Sequence, residues 1–467
     1  MSTARQLLEK VVEPGLCIGC GACAVLPGSP LTVRMNAEGR YQAAPAADGD
    51  LDTEGAFLKV CPFSPEVDED ALARAFIQPT AAQQHPEVGV HQTVAAGHVH
   101  AGSFRGDGSS GGMTSWFLDR LLAEDEIDGV LHVTPRGGAA GPLFKYSVST
   151  SRESAAGGAG TRYYPVEMSG VLSHVRENPG RYAVVGVPCF IKAVRLLQLE
   201  DPVFRERVRY CVGIVCGHFK SARFAESLGW EKGIQPGELE KIDFRVEGDV
   251  RADLYDVSVS GGGTTRTESK DDYLATDWGV GLFKYNACDY CDDVMNETAD
   301  ITFGDAWLSQ FTPDPAGDNI VITRSSHAAA IFDSGREQLT LTDITADSAA
   351  KSQEAGLRHR REGLSYRLAQ DIEAGKPVPT KRVQPNSNIP AKRKRIYDAR
   401  RRFVVLGDEA YDDALRARSF EVFRSRITPE IQRYREIYSA GLVPRAKRFV
   451  RTRLPGLTRW VKKVRGR

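Results

Sequence analysis

Between about residues 90 and 310, short apolar, β-branched runs alternate with segments whose apolar residues recur at helical spacing. IDGVLHVTP, RYAVVGVP, RVRYCVGIVCGH and ADITFGDAW read as strands, and MTSWFLDRLLAE and FIKAVRLLQLED as helices. That alternation predicts an α/β domain over 90–320, built on a mixed, mainly parallel sheet. Within it KIDFRVEGD and LYDVSVSGGG resemble an inserted β-hairpin. Residues 1–75 are thin in long periodic segments and predict a small separate unit, followed by a polar, two-proline linker, IQPTAAQQHPEVG. Past 320 the periodicity fades. Residues 321–375 are read as the last part of the α/β domain, 376–395 as a flexible basic linker, and the remainder of 376–467 as a mainly helical, Arg-rich extension. No repeat is evident.

Composition adds little to this picture. With 41% hydrophobic and 26% charged residues over 467 positions, an ordinary buried core is expected. Lys plus Arg and Asp plus Glu both total 61, so net charge points to no partner, and nucleic acid is not expected as one. Local charge says more. From Ile437 onward there is no acidic residue, and ten Lys or Arg interleave with apolar side chains including Phe449 and Trp460. Such a tail can lie on an anionic membrane surface, grip a polyanion, or form a solvated helix broken at Pro455. No apolar stretch approaches the ~18 residues needed to span a bilayer. The N-terminus lacks the basic start, apolar core and cleavage site of a secretory signal. A cytoplasmic protein is expected, at most peripheral to the inner face of the membrane, with its cysteines reduced.

Eight of the nine cysteines divide into two sets of four. Cys17, Cys20 and Cys23 form a Cys-x2-Cys-x2-Cys run, and Cys61 follows directly before Pro62. Three thiolates on one tight loop plus a distant Cys-Pro is the ferredoxin arrangement for a 4Fe–4S cluster. Zinc sites are more often built from two separated pairs. Gly19 and Gly21 suit a loop that must curl and aim N–H groups at sulfur. In the second set, Cys189 ends the run YAVVGVPC and Cys216 ends CVGIVC, so both stand at strand ends that a parallel sheet brings to one edge. Cys288 and Cys291 would complete a second cluster from a loop, the alternative being isolated buried thiols. Cys211, inside its strand, is left as a structural cysteine.

The segment FRGDGSSGGMTSWFLDRLL carries Gly106, Gly108, Gly111 and Gly112 directly before a predicted helix. Such glycines let a backbone approach a pyrophosphate at a helix N-terminus, although a Gly/Ser turn capping the helix fits as well. The chemistry favours a flavin, because clusters pass single electrons and organic substrates usually take two.

Taken together, CIGCGAC, the Cys-Pro at 61, SSGGMTSWFLDRLL, GTRYYP, VVGVPC, GIVCGH and CDYCDDVMNETADITFGDAW resemble the coenzyme F420 hydrogenase/dehydrogenase beta-subunit family, which includes 7-hydroxymethyl chlorophyll a reductase. The resemblance covers about 15–310. It implies a ferredoxin-like iron–sulfur segment on a flavin-binding α/β domain, holding two 4Fe–4S clusters and FAD. Cys17, Cys20, Cys23 and Cys61 would hold one cluster, and Cys189, Cys216, Cys288 and Cys291 the other. Ser110, Gly111, Gly112 and Thr114 would cradle FAD, with Arg162, Tyr163 and Lys192 as further contacts. Phe190 departs from the family, which often has Gln there. Two-electron chemistry at a flavin also needs a proton source. His218 and Asp305 are the catalytic candidates, the plain alternative for each being a hydrogen-bonded loop residue. The implied partners are a ferredoxin or other low-potential donor and a small-molecule acceptor, coenzyme F420 or another. Competing readings are an electron-transfer subunit of a hydrogenase or dehydrogenase complex, a homo-oligomer, or a redox protein recruited to membrane-associated polysaccharide assembly.

Overall fold

Strand-forming runs build an eight-stranded sheet in the computed structural model, which describes residues 1–77, 83–136 and 141–438. The N-terminal segment contributes an antiparallel hairpin of β1 (Leu31–Met35) and β2 (Tyr41–Pro45), and a helix, α1 (Glu69–Phe76). The large sheet takes β3 (Thr93–Val99), β4 (Gly129–Pro135), β5 (Phe144–Ser149), β6 (Tyr182–Gly186) and β7 (Val208–Ile214). A second sheet intervenes, made of β8 (Leu239–Val246), β9 (Asp256–Gly261) and β10 (Thr264–Ser269). The chain then returns to the large sheet with β11 (Ile301–Asp305), β12 (Asn319–Thr323) and β13 (Leu339–Asp343).

The order of the large sheet is β13-β3-β12-β11-β7-β6-β4-β5. Its centre, β11-β7-β6-β4, is parallel, and every pairing outside that centre is antiparallel. The central runs are mostly apolar because both faces are covered. Ala183, Tyr210 and Val212 pack with Trp116 and Phe117 of α2 (Met113–Ala123). Their neighbours Val184 and Cys211 pack with Phe190, Ile191 and Val194 of α3 (Pro188–Glu200) on the other face. Cys211 is fully buried there. The second of these apolar clusters runs on into the N-terminal segment through Leu7, Val11 and Phe57.

Three segments differ from the sequence pattern. The predicted hairpin insertion gains a third strand, β10, whose polar sequence TTRTES carries no apolar alternation. Residues past 320 rejoin the large sheet as β12 and β13; β12 is buried along its whole length, so no two-residue period marks it. The predicted flexible linker over 376–395 is a pinned strap that runs into a long helix. Thr380 donates to the Pro65 carbonyl at 2.7 Å. Lys381 pairs with Asp292 at 3.2 Å, with its ammonium 5.2 Å from the Phe63 ring centroid. Arg382 binds both Glu297 and Asp70. A basic, proline-rich composition reads as solvated, whereas here its cations meet carboxylates supplied from far away in sequence.

After a short helix at Ala346–Ser352, four more follow among the described residues: α4 (Glu354–Arg360), α5 (Glu362–Glu373), α6 (Ala391–Ala417) and α7 (Phe420–Tyr438). Of the predicted linker after α1, residues 78–82 lie outside the described residues, and Gln83–His85 pairs with Gly89–His91. The basic tail from 439, with its expected membrane contact, also lies outside them. No described helix is long and apolar enough to cross a membrane.

Candidate functional site

A cavity of about 690 Å³ opens where β6, β7 and β11 end, the edge at which open α/β sheets take their ligands. The Gly/Ser segment before α2 forms one side. Gly112 caps that helix at φ 76°, and a Cβ there would fall 2.5 Å from the Phe104 carbonyl, so the turn needs glycine. Ser110 and Thr114 line the cavity, although the Ser110 hydroxyl already donates to the Asp318 carbonyl at 3.1 Å. Gly111 is turned the other way, against the Gly97 carbonyl and Asn319. Arg162 and Tyr163 also line it, next to Thr161, whose N–H donates to Ser109 Oγ of the Gly/Ser segment at 2.8 Å. Arg162 donates to the Ala159 and Thr161 carbonyls at 2.6 and 3.0 Å and, among the described residues, forms no ion pair. Burial lowers its pKa, with the charge of Asp243 working the other way. Lys192 is absent from the lining; its ammonium lies close enough to Cys61 to lower that thiol's pKa.

Both candidate proton donors reach the cavity. Asp305 accepts from Arg245 with both oxygens, at 2.9 and 2.7 Å, and Arg245 is flanked by the rings of Tyr255 and Trp307. A carboxylate held in this way is an anchor for Arg245, not a ready proton source. His218 lies against Trp278, centroids 4.3 Å apart, with its Nε2 covered and without a hydrogen-bond partner among the described residues. Burial, reinforced by Lys220 and Lys284, holds the imidazole pKa well down, so the ring is neutral. Lys220, which the sequence did not single out, also lines the cavity, donates to the Leu282 carbonyl at 2.6 Å, and is lowered by burial to about 7.

A further lining residue gives a pH prediction. Burial brings His132 down to about 4, and its Nε2 lies 2.8 Å from Ser149 Oγ. Its folded-state pKa therefore lies below the unfolded value, so the stability it contributes is complete above pH ~6.5 and lost as pH falls toward 4. The loss expected from this residue is about 2–3 kcal/mol. Chemical denaturation of flavin-free protein at pH 7 and pH 4.5 checks it: His132→Gln should flatten the difference, and an undiminished difference contradicts the assignment.

The cysteines converge in two places. Cys17, Cys20, Cys23 and Cys61 line one small cavity of about 20 Å³. Gly19 and Ala43 donate their N–H groups to Cys17 Sγ at 3.4 and 3.3 Å, and backbone N–H groups of Ala22 and Phe63 serve Cys20 and Cys61. The second four come from three separate segments. Cys189 lies at the start of α3, Cys216 two residues past β7, and Cys288 and Cys291 in the loop before β11. Phe219 N–H donates to Cys288 Sγ at 3.2 Å. Burial raises the pKa of Cys20, Cys23 and Cys61 in the first set and of Cys189 and Cys216 in the second, taking Cys20 to about 12, and neighbouring thiols of the same set add to it. Cys189 also senses Cys20, and the cavity-lining Tyr146 senses both, so the two sets and the cavity adjoin.

Among the described residues no group of three or more His, Cys, Asp or Glu is placed to hold a metal ion. The test of fit is the chemistry of the donors. Buried thiols with raised pKa values are poor nucleophiles, and become thiolates when a metal takes them. The surroundings of the second set favour that charge. Lys220, Lys284, Arg360 and Arg367 are all buried there. Asp289, between Cys288 and Cys291, accepts from Lys284 at 2.6 Å and lies 3.4 Å from His359 and 3.7 Å from Arg367. Asp289 serves Lys284 and Arg367, whereas Lys220 and Arg360 are hydrogen-bonded to carbonyls, so thiolates of this set would find cations beside them. Phe190, the departure from the family, is buried and stacks on Tyr146 with centroids 6.0 Å apart.

Comparison with known proteins identifies the family. Residues 94–173 match the coenzyme F420 hydrogenase/dehydrogenase beta-subunit N-terminal region, and 180–347 match its C-terminal region. The chain belongs to that family. Among curated proteins it is 27% identical over 342 residues to a subunit of the F(420)H(2) dehydrogenase of Methanosarcina mazei, covering 72% of this chain and 87% of that one. It is 23% identical over 320 residues to an uncharacterized protein of Methanocaldococcus jannaschii, covering 65% and 84%. A chain in a structure of the F420-reducing NiFe hydrogenase complex from Methanosarcina barkeri aligns at 20% identity and TM-score 0.49, over 64% of this chain and 99% of that one.

Proposed function

We propose that this chain is an FAD- and iron–sulfur-dependent oxidoreductase, exchanging electrons between a ferredoxin-like donor and a two-electron acceptor of the coenzyme F420 kind. The observation that carries the reading is the convergence of Cys189, Cys216, Cys288 and Cys291, with Cys216 on the cavity wall and Cys189 within reach of Cys20 in the first set. Bound clusters would supply one-electron steps, and bound FAD the change to two-electron transfer. The chain's own part is placement. Cys17, Cys20, Cys23 and Cys61 would hold the outer cluster and the other four the inner one. The turn at Gly112 and the Arg162 guanidinium suit a pyrophosphate. Neutral His218 lines the cavity beside Trp278 and Lys220 brings a proton-bearing nitrogen to it, while the Arg245–Asp305 pair fixes the wall beside Trp307.

The experiment is anaerobic reconstitution with iron, sulfide and FAD, followed by reduction with a reduced ferredoxin in the presence of coenzyme F420. Retained flavin and acceptor reduction support the reading. A protein that takes up no flavin and passes no electrons to any two-electron acceptor refutes it. A second reading, an electron-transfer subunit of a larger complex, is favoured by the name of the Methanosarcina mazei relative, a dehydrogenase subunit. Donor-dependent flavin reduction without acceptor turnover, together with co-purification of a dehydrogenase partner, would select it.

A further inference from the structure

The matched family regions end at residue 347, yet the loop that carries Cys288 and Cys291 is held from beyond that point. Arg360, the last residue of α4, donates to the carbonyl of Cys288 through Nη1 and to the carbonyl of Gly217, next to Cys216, through Nη2 at 2.5 Å. Arg367 donates to the Asp289 carbonyl at 2.8 Å. Arg361 and Arg382 both donate to the Asp292 carbonyl. Four arginines from 360–382 thus tie down the backbone around one cysteine pair.

Arg360 differs from the other three. Its side chain is 1% exposed. Arg361 and Arg382 share Glu297, and Arg367 lies against Asp289, whereas Arg360 spends its fork on two carbonyls beside cysteines. Burial opposes its charge, and Cys291, Cys288, Cys216 and Asp289 more than offset that. A buried guanidinium joined to two ligand-bearing segments does two things. It fixes the spacing between Cys216 and Cys288, and it puts a permanent positive charge beside whatever negative charge the four sulfurs carry.

We propose that Arg360 is the positioning residue and counter-cation of the Cys189/Cys216/Cys288/Cys291 set, so that the chain beyond the family match sets the reduction potential of that centre. The inference rests on the cluster reading above. Reduction adds one electron, and with it one negative charge, to the centre. A fixed cation stabilises the reduced form more than the oxidised one and raises the potential.

The test uses full-length, anaerobically purified protein with both clusters. Iron is counted, and each centre's midpoint is measured by redox-poised electron paramagnetic resonance, the second centre being identified as the signal that Cys216→Ala removes. Arg360→Gln should shift the second midpoint to lower potential, or release the second set's share of the iron, and leave the first midpoint in place. Arg360→Lys, which keeps the charge without the fork, should recover most of the lost potential or iron. Full iron with both midpoints unmoved in Arg360→Gln overturns the proposal, as does an Arg360→Lys protein no better than Arg360→Gln. A wild-type protein with only about four irons is a different failure: it removes the second cluster itself.

Discussion

Cys216→Ala is expected to reduce the iron of the anaerobically purified protein from about eight atoms per chain to about four. Electron delivery from a ferredoxin-like donor to the acceptor should fall with it, by at least about 100-fold, since loss of an outer-shell partner alone costs 10–100-fold in metal affinity or activity. Cys216 stands just past the end of β7, close enough to Cys288 and Cys291 to share their charge, and on the cavity wall. Cys211 is the internal control. It lies five positions earlier in the same stretch, fully buried in the strand, with Arg195 and Asp300 for neighbours. Cys211→Ala should keep about eight irons. If the two variants lost iron equally, the division of the cysteines into ligands and a structural remainder would be wrong.

Asp289→Ala should be the most destabilising single substitution at the site. The carboxylate is fully buried among Lys284, Arg367 and His359, and the Lys284 and Arg367 charges hold its pKa well below the usual range despite burial. Removing one partner of a buried pair leaves the other charge without compensation, at a cost of about 3–5 kcal/mol. Asp52→Ala offers the contrast. Its partner Arg5 is 2.8 Å away, but both side chains are largely solvent-exposed, so water and salt screen the pair and its loss should be barely measurable. Anaerobic denaturation of both variants against wild type measures the difference. Comparable small losses in the two would show that the charge balance around the cysteine loop does not depend on Asp289.

The grouping of the cysteines could be read from the chain because Cys17, Cys20 and Cys23 share one short loop, and because parallel strands bring the ends that carry Cys189 and Cys216 to a common edge. Cys189 and Cys216 follow apolar runs that fold as β6 and β7. The helix after the Gly/Ser turn was legible for the same reason. What escaped was long-range charge. Nothing near Arg360 in sequence marks it as a neighbour of Cys288, and Lys381 and Arg382 look like part of a solvated linker until Asp292 and Glu297 are placed opposite them. Asp305 was visible as a residue at a strand end, but its pairing with Arg245 depends on how the second sheet lies over the cavity. Lys192, one turn past Cys189 on a helix beside the cavity, lies on the side of that helix toward Cys61.

The central claim is that both cysteine sets carry iron and sulfide. The direct measurement is iron and acid-labile sulfide per chain, with electron paramagnetic resonance of the dithionite-reduced form, on full-length protein kept free of oxygen from lysis onward. The account predicts about eight of each and two reducible paramagnetic centres. Colourless protein with no labile sulfide and no such signal would contradict it.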